Sequence, residues 1–230
     1  MKKILVTGGE GRFALELRKT THKNKFIFLK KKELNILKFN SIIKALKKFK
    51  PKIVLHLAGL SRPMKIHEKN LSKSISLNII GTCNLVIACK KLNIKIIYFS
   101  TSYIYPGKKG NYKETDAVLP WNNYGWSKLG GECAVQMYKD SLILRACMTE
   151  KPFIHKNAYA NVKSNFIFHA DFIKVFIKLI NKKGIYNIGG KSQTIYNFAK
   201  KNSKNVKKIF SKGEFPLMQN MNLNKISKLK

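Results

Sequence analysis

Residues Ile4-Leu5-Val6-Thr7 run directly into Gly8-Gly9-Glu10-Gly11-Arg12-Phe13-Ala14. A short β-branched and aliphatic run reads as a buried strand, and the pattern after Phe13 reads as a helix. Glycines between the two allow a sharp turn and let the backbone approach a ligand closely. Small Ala14 lets the helix pack tightly against the strand. A chain that begins this way is directed toward a βαβ unit whose helix N-terminus faces an anion.

The pattern continues. Phe26–Leu29, Ile53–Leu57, Ile94–Phe99 and Leu142–Leu144 have strand length and composition, and Phe13–Arg18, Phe39–Phe49, Leu71–Leu92 and Tyr124–Tyr138 have helical spacing. The strands are apolar throughout, as expected where helices cover both faces of a parallel sheet. The expected fold is therefore α/β: a Rossmann-type doubly wound parallel sheet over residues 1–145. After Arg145 the pattern loosens, with a helix expected over Asp171–Ile180, a strand over Gly184–Ile188 and a further helix over Thr194–Asn202. At about 150 residues per domain, 230 residues suffice for one domain and an appendage. Residues 146–230 are read as a small, shortened C-terminal substrate cap, interleaved with the sheet edge and forming half of a cleft.

Lysine and arginine total 46 against 11 acids, a formal charge of +35. Such an excess suits nucleic-acid binding. Only four of the basic residues are arginine, however (Arg12, Arg18, Arg62, Arg145), and arginine is the usual reader of phosphates and bases. The lysines are spread along the whole chain, which suits solvated faces better than a binding patch, so no specific nucleic-acid partner is expected. No apolar run approaches the ~18 residues of a membrane span, and the start lacks the ~7-residue apolar core of a secretory signal. A cytoplasmic location is expected. Cys83, Cys89, Cys133 and Cys147 form no C-x-x-C pair and read as buried thiols in a reducing compartment. With His22, His56, His67, His155 and His169 they show no metal-ligand spacing, so no metal is expected.

A dinucleotide is the ligand that the opening turn fits, with Gly8, Gly9, Gly11, Arg12 and Phe13 around its pyrophosphate. The second strand ends in Lys30-Lys31-Lys32-Glu33. Cations at that place favour a 2′-phosphate, so Lys30, helped by Arg12, favours NADP(H) over NAD(H); Glu33 leaves NAD(H) open.

Tyr124-Gly125-Trp126-Ser127-Lys128 sets a phenol and an ammonium four residues apart, on one face of a helix. A nearby cation stabilises phenolate, so the expectation is a lowered tyrosine pKa and an acid or base usable near neutral pH. With nine tyrosines and abundant lysine, chance gives about one or two such pairs. The chain has four: Tyr105–Lys109, Tyr124–Lys128, Tyr159–Lys163 and Tyr196–Lys200. Position selects Tyr124, because the fourth strand ends just before it in Ser100-Thr101-Ser102-Tyr103, where a doubly wound sheet holds its ligand. Taken alone, Thr101 is as well explained as a turn or capping hydroxyl.

Together these stretches resemble an extended short-chain dehydrogenase/reductase. The carriers are Thr-Gly-Gly-x-Gly-x-x-Ala, Ser100-Thr101-Ser102-Tyr103-Ile104-Tyr105-Pro106-Gly107, Lys113-Glu114-Thr115-Asp116-Ala117, and Pro120-Trp121-Asn122-Asn123-Tyr124-Gly125-Trp126-Ser127-Lys128 with Leu129-Gly130-Gly131-Glu132. More narrowly the chain is similar to the dTDP-4-dehydrorhamnose reductase group of the epimerase/dehydratase superfamily, well over residues 1–145 and thinly beyond. Gly184-Ile185-Tyr186-Asn187-Ile188-Gly189-Gly190 and Leu223–Leu229 look like that group's later signatures.

The resemblance implies that Tyr124 protonates a sugar C4 oxygen as hydride arrives, that Lys128 binds the nicotinamide ribose, and that Thr101 hydrogen-bonds the same oxygen. It places Ala58 and Gly59 against the cofactor and gives Asn78 a supporting role. Three departures bear on the sugar pocket: Ser102 and Asn35 stand where the group has acids, and Met148 stands where it has a tryptophan. Ser102, Arg62 and Met148 are the candidate substrate contacts. The stretch from Thr149 to Asp171 is also shorter than in the group. The expected function is NAD(P)H-dependent reduction of a 4-keto nucleotide sugar, for deoxysugar and surface-polysaccharide synthesis, by a possible homodimer. An NAD-retaining epimerase or dehydratase and a non-catalytic cofactor-binding subunit stay open.

Overall fold

The computed structural model describes residues 3–20, 26–203 and 205–229; His22 lies outside them. Among these, six strands form one parallel sheet: β1 (Ile4–Thr7), β2 (Phe26–Phe28), β3 (Ile53–His56), β4 (Lys95–Thr101), β5 (Ser141–Ala146) and β6 (Gly184–Ile188). Their spatial order is β2-β1-β3-β4-β5-β6. β1 pairs with β2 on one side and β3 on the other, so the winding direction reverses between β1 and β3. That reversal opens a crevice beyond their carboxyl ends.

Helices cover both faces. On one side α1 (Arg12–Thr20) buries Phe13, Ala14 and Leu17 beside Phe172, Phe176 and Leu179 of a later helix, against Ile4, Val6, Leu55, Ile97 and Leu144. On the other, α2 (Phe39–Phe49) and α3 (Gly81–Lys91) bring Ile42, Leu46, Leu85 and Cys89 against Leu5, Val54, Ile96 and Ile143. Each fully buried aliphatic side chain contributes about 1.5–3 kcal/mol. The strands are buried on both faces, which is why they lack alternation.

Before α3 the chain winds through Leu71–Ile75 and a π-helical turn, Ser76–Ile80. The whole run Leu71–Lys91 is long and apolar enough to cross a membrane, with mean hydropathy 1.3. About a third of its apolar window is buried, with Leu85, Val86, Ala88 and Cys89 packed beneath the sheet. α4 (Asn123–Gln136) starts at Asn122, whose side chain accepts from the Gly125 N–H at 2.7 Å. It lies close on the π-helical turn, because a Cβ at Gly131 would fall 2.5 Å from the Asn78 carbonyl oxygen.

The chain after Arg145 leaves the sheet and returns to it. Met148–Thr149 pairs with Ile167–Phe168, α5 (His169–Leu179) packs on α1, and β6 closes the sheet edge beside β5. Between and beyond these, Phe153, Ala158, Val162, Phe168, Ile195 and Phe198 form a small separate core. A buried ion pair joins α4 to β5: Arg145 donates to Glu132 at 2.7 and 3.0 Å, and to the Tyr105 hydroxyl and Glu114 carbonyl. The reading of four buried thiols is corrected. Cys89 and Cys147 are buried, but Cys83 is half-buried and Cys133 exposed, since both lie on outward faces of helices; all four are free.

Candidate active site

The β1–α1 turn is shaped by its glycines. Gly8 has φ +65°, in the left-handed region, and a Cβ there would meet the Ala58 backbone at 2.8 Å. β1 and the loop after β3 therefore approach as closely as two backbones can. Gly59 is equally constrained, since a Cβ would fall 2.8 Å from Asn78 Oδ1. Gly11 N–H donates to the Gly8 carbonyl at 2.9 Å, and α1 carries no acid of its own in its first turn to offset its positive end. This cradle fits a dinucleotide pyrophosphate by shape and charge.

A cleft of about 830 Å³ opens from the cradle. Gly11, Arg12, Phe13, Ala58, Gly59, Arg62, Thr101, Ser102, Tyr124, Lys128 and Met148 all line it. The fold thus brings these residues to one place from five separate segments. Gly8 and Gly9 lie behind this wall and shape it. Phe13 contributes little side chain, because its ring is packed edge-on against Phe99, Phe172 and His169. Lys30 stands outside the lining and pairs with Glu10 at 3.2 Å. Arg12 is directed elsewhere, to Glu150 at 3.1 Å and Ser61 at 3.2 Å, so the two cations expected to share a 2′-phosphate do not converge. The other three Tyr-x-x-x-Lys pairs are not in this lining; Tyr105, for one, is a buried hydrogen-bond partner of Arg145 and Asn187.

Thr101 ends β4. Its Oγ1 accepts from the Tyr103 N–H at 3.3 Å, and it lines the same cleft as the Tyr124 phenol. Burial pushes the Tyr124 phenol above its ordinary pKa, opposed by Thr101 and by Arg62 and Arg12. This corrects the expected coupling. Helical spacing placed the ammonium of Lys128 on the same face, but desolvation outweighs charge, and the opposing cations are Arg12 of α1 and Arg62 of the loop after β3. Lys128 Nζ sits 4.0 Å above the Tyr98 ring, and burial brings its pKa down to about 7 despite Glu132 one turn away.

A buried polar chain runs beneath the site. Thr82 donates to the Asn78 carbonyl at 2.8 Å, so at its 3.0 Å contact with His56 it accepts, and the imidazole proton is on Nε2. His56 Nδ1 then accepts from Thr7 at 3.0 Å, while Thr7 Oγ1 accepts from the N–H groups of Leu57 and Ala58. Burial, with Lys128 nearby, lowers the His56 pKa to about 3 and keeps it neutral. Asn78 is held both ways by Leu60 and donates to Ser127 Oγ at 2.8 Å. Thr7, His56, Thr82 and Glu150 were not anticipated as site residues. The His56-Leu57-Ala58-Gly59 loop was the available signal for the first three.

Among the described residues no group of three His, Cys, Asp or Glu side chains could hold a metal. Ser102 is buried with its hydroxyl unpartnered, Cys147 Sγ meets the Ser164 hydroxyl at 3.1 Å, and Met148 packs on the main core at the cleft wall.

A glycine cradle at the switch point of a parallel sheet, with Thr101, Tyr124 and Lys128 in the same cleft, defines a member of the NAD-dependent epimerase/dehydratase superfamily. Residues 1–158 match the family described as RmlD substrate binding domain, and the chain belongs to that family. It is 28% identical over 193 residues to dTDP-4-dehydrorhamnose reductase of Aggregatibacter actinomycetemcomitans, covering 82% of this chain and 60% of the relative. It is also 28% identical over 143 residues to methionine adenosyltransferase 2 subunit beta of Pongo abelii, covering 58% of this chain and 42% of that protein. The chain thus matches less than two thirds of the length of either. The crystal structure of dTDP-4-dehydrorhamnose reductase from Bacillus anthracis str. Ames in complex with NADP shares the fold. Its TM-score is 0.86 at 22% identity, covering 99% of this chain and 91% of that one.

Proposed function

We propose that the chain reduces a 4-keto nucleotide sugar with NAD(P)H, in deoxysugar and surface-polysaccharide synthesis. The observation that carries this reading is the meeting of Thr101, Tyr124 and Lys128 with the glycine cradle in one cleft. When bound, the reduced nicotinamide supplies hydride. Thr101 and Tyr124 hold the sugar carbonyl oxygen, and Tyr124 gives it the proton that completes the alcohol. Burial keeps the phenol protonated at neutral pH, while Thr101, Arg62 and Arg12 oppose the rise and favour release of its proton. Lys128 holds the nicotinamide ribose and, as an ammonium, stabilises the phenolate left by the transfer until a proton from solvent restores the phenol. Residues 1–145 act as the cofactor domain and 146–230 as the cap, with Arg62, Ser102 and Met148 on the sugar side.

NADP(H) is the proposed cofactor ahead of NAD(H), through Lys30. The Glu10 carboxylate must release that lysine first, which makes the preference small. A homodimer is proposed through α3 and α4, whose outer faces expose Ile87 and Trp126, with Met137 exposed just past α4. The proposed location is cytoplasmic, with the nucleotide sugar, and no specific nucleic acid, as partner. Incubation with NADPH and separate 4-keto sugar nucleotides, following the reduced cofactor's absorbance, tests the activity. Oxidation with one sugar supports it; none across the panel, with protein that binds NADPH, rejects it.

The likeness to an adenosyltransferase subunit favours a second reading, a non-catalytic cofactor-binding subunit. Tight NADPH binding without turnover supports that one.

A further inference from the structure

The proposed chemistry leaves one cluster unused. Arg62 Nη1 donates to both carboxylate oxygens of Glu150, at 3.1 and 2.8 Å, and Arg12 Nε meets Oε1 at 3.1 Å. The three side chains come from distant parts of the chain: Arg12 from the first turn of α1, Arg62 from the loop after β3, and Glu150 from just beyond Met148–Thr149. All three line the cleft that holds Tyr124. Two of only four arginines therefore converge on one of only eleven acids, so lysine-rich composition does not account for the cluster.

Arg62 reaches both oxygens through one nitrogen and Arg12 reaches one of them, a fork of two side chains, and guanidinium groups that hold a carboxylate hold a phosphate as well. The pair carries two positive charges against one negative. Glu150 is partly buried, with 18% of its side chain exposed, while Arg12 is 46% exposed. Burial would raise the carboxyl pKa, but Arg62 and Arg12 hold it below the usual range, so it is ionised at neutral pH. An anion entering the cleft thus meets a site already filled by the protein's own anion.

We propose that Arg12 and Arg62 form a subsite for an organic diphosphate, and that Glu150 is its resident counter-ion, displaced when the ligand binds. This rests on the reading that the cleft takes a dinucleotide and a nucleotide sugar, and it names the contact that reads their phosphates. The diphosphate belongs either to the dinucleotide or to the sugar nucleotide, and both chemistries fit the fork. Glu150 weakens ligand binding by competition and links the first domain to the cap only while the cleft is empty.

The test is calorimetric titration of Glu150→Gln, Arg62→Gln and the double variant with NADPH and, separately, thymidine diphosphate, with thymidine as the phosphate-free control. Glu150→Gln should bind at least one diphosphate about 5- to 10-fold more tightly, and Arg62→Gln about 10-fold more weakly. The gain from Glu150→Gln should vanish in the double variant, and thymidine binding should not change. A gain for NADPH alone assigns the subsite to the cofactor, and a gain for thymidine diphosphate alone to the nucleotide sugar. Unchanged or weaker binding of both ligands by a folded Glu150→Gln overturns the proposal. Should that variant not fold, wild-type affinity of Arg62→Gln for both ligands overturns it equally. Absence of turnover on every 4-keto sugar leaves these binding results standing, so the two readings fail separately.

Discussion

Asn78 donates to the Ser127 hydroxyl across 2.8 Å, tying the loop after β3 to the helix that carries Tyr124 and Lys128. The π-helical turn Ser76–Ile80 brings this side chain into place, where it also exchanges two hydrogen bonds with the Leu60 backbone. Asn78→Ala strands Leu60 N–H and carbonyl groups in a buried setting. The expected loss is about 1–3 kcal/mol of stability, read by urea unfolding, with a fall in turnover larger than any change in cofactor affinity. Unchanged turnover would show that Asn78 only packs.

His56 makes folding acid-sensitive. Its pKa is about 3 folded and near 6.5 unfolded, so between these values the unfolded chain binds a proton that the folded one does not. Stability from this group is complete above pH 6.5 and falls by about 1.4 kcal/mol per unit below it. Urea midpoints measured from pH 7.5 to 4.5 should drop steeply in the wild type and less steeply in His56→Gln. Parallel profiles would contradict the assignment.

Lys128 titrates at about 7, because burial disfavours its ammonium. Its charge is present below that pH and lost above it. NADPH affinity should therefore weaken as pH rises from 6 to 8.5, and the difference between wild type and Lys128→Met should shrink over the same interval. A constant difference would mean that the ammonium charge does not hold the cofactor.

Arg145 and Glu132 are both almost wholly buried and 2.7 Å apart. Arg145→Met leaves a buried carboxylate without its partner and should destabilise by about 3–5 kcal/mol. Glu132→Gln, which removes the charge but keeps an amide to accept from Arg145, should weaken folding as well. Thermal unfolding of the two variants beside Arg145→Met/Glu132→Leu checks this: the double variant should recover part of the loss.

Much of the scaffold was legible because it is local. The apolar runs at Ile4–Thr7 and Ile53–His56, and the glycines at 8 and 11, state strand, turn and helix within a few residues. Tyr124 was separable from three decoy pairs only by its position after β4. The rest is tertiary. Glu150 lies 138 residues from Arg12, and nothing in its neighbourhood announces the pairing; the scarcity of acids was the faint signal. The chain Thr7–His56–Thr82–Asn78 depends on a π-helical turn that hydrophobic spacing does not register. The Tyr124 pKa went the other way because spacing gives proximity on a helix face but says nothing of desolvation.

The central claim is that Tyr124 delivers the proton in this cleft, and Tyr124→Phe tests it most directly. Steady-state oxidation of NADPH with the accepted 4-keto sugar nucleotide, beside NADPH titration of the same variant, separates chemistry from binding. The account predicts a fall in kcat of about 100- to 10,000-fold with cofactor affinity within about twofold of wild type. Wild-type turnover by Tyr124→Phe would contradict it.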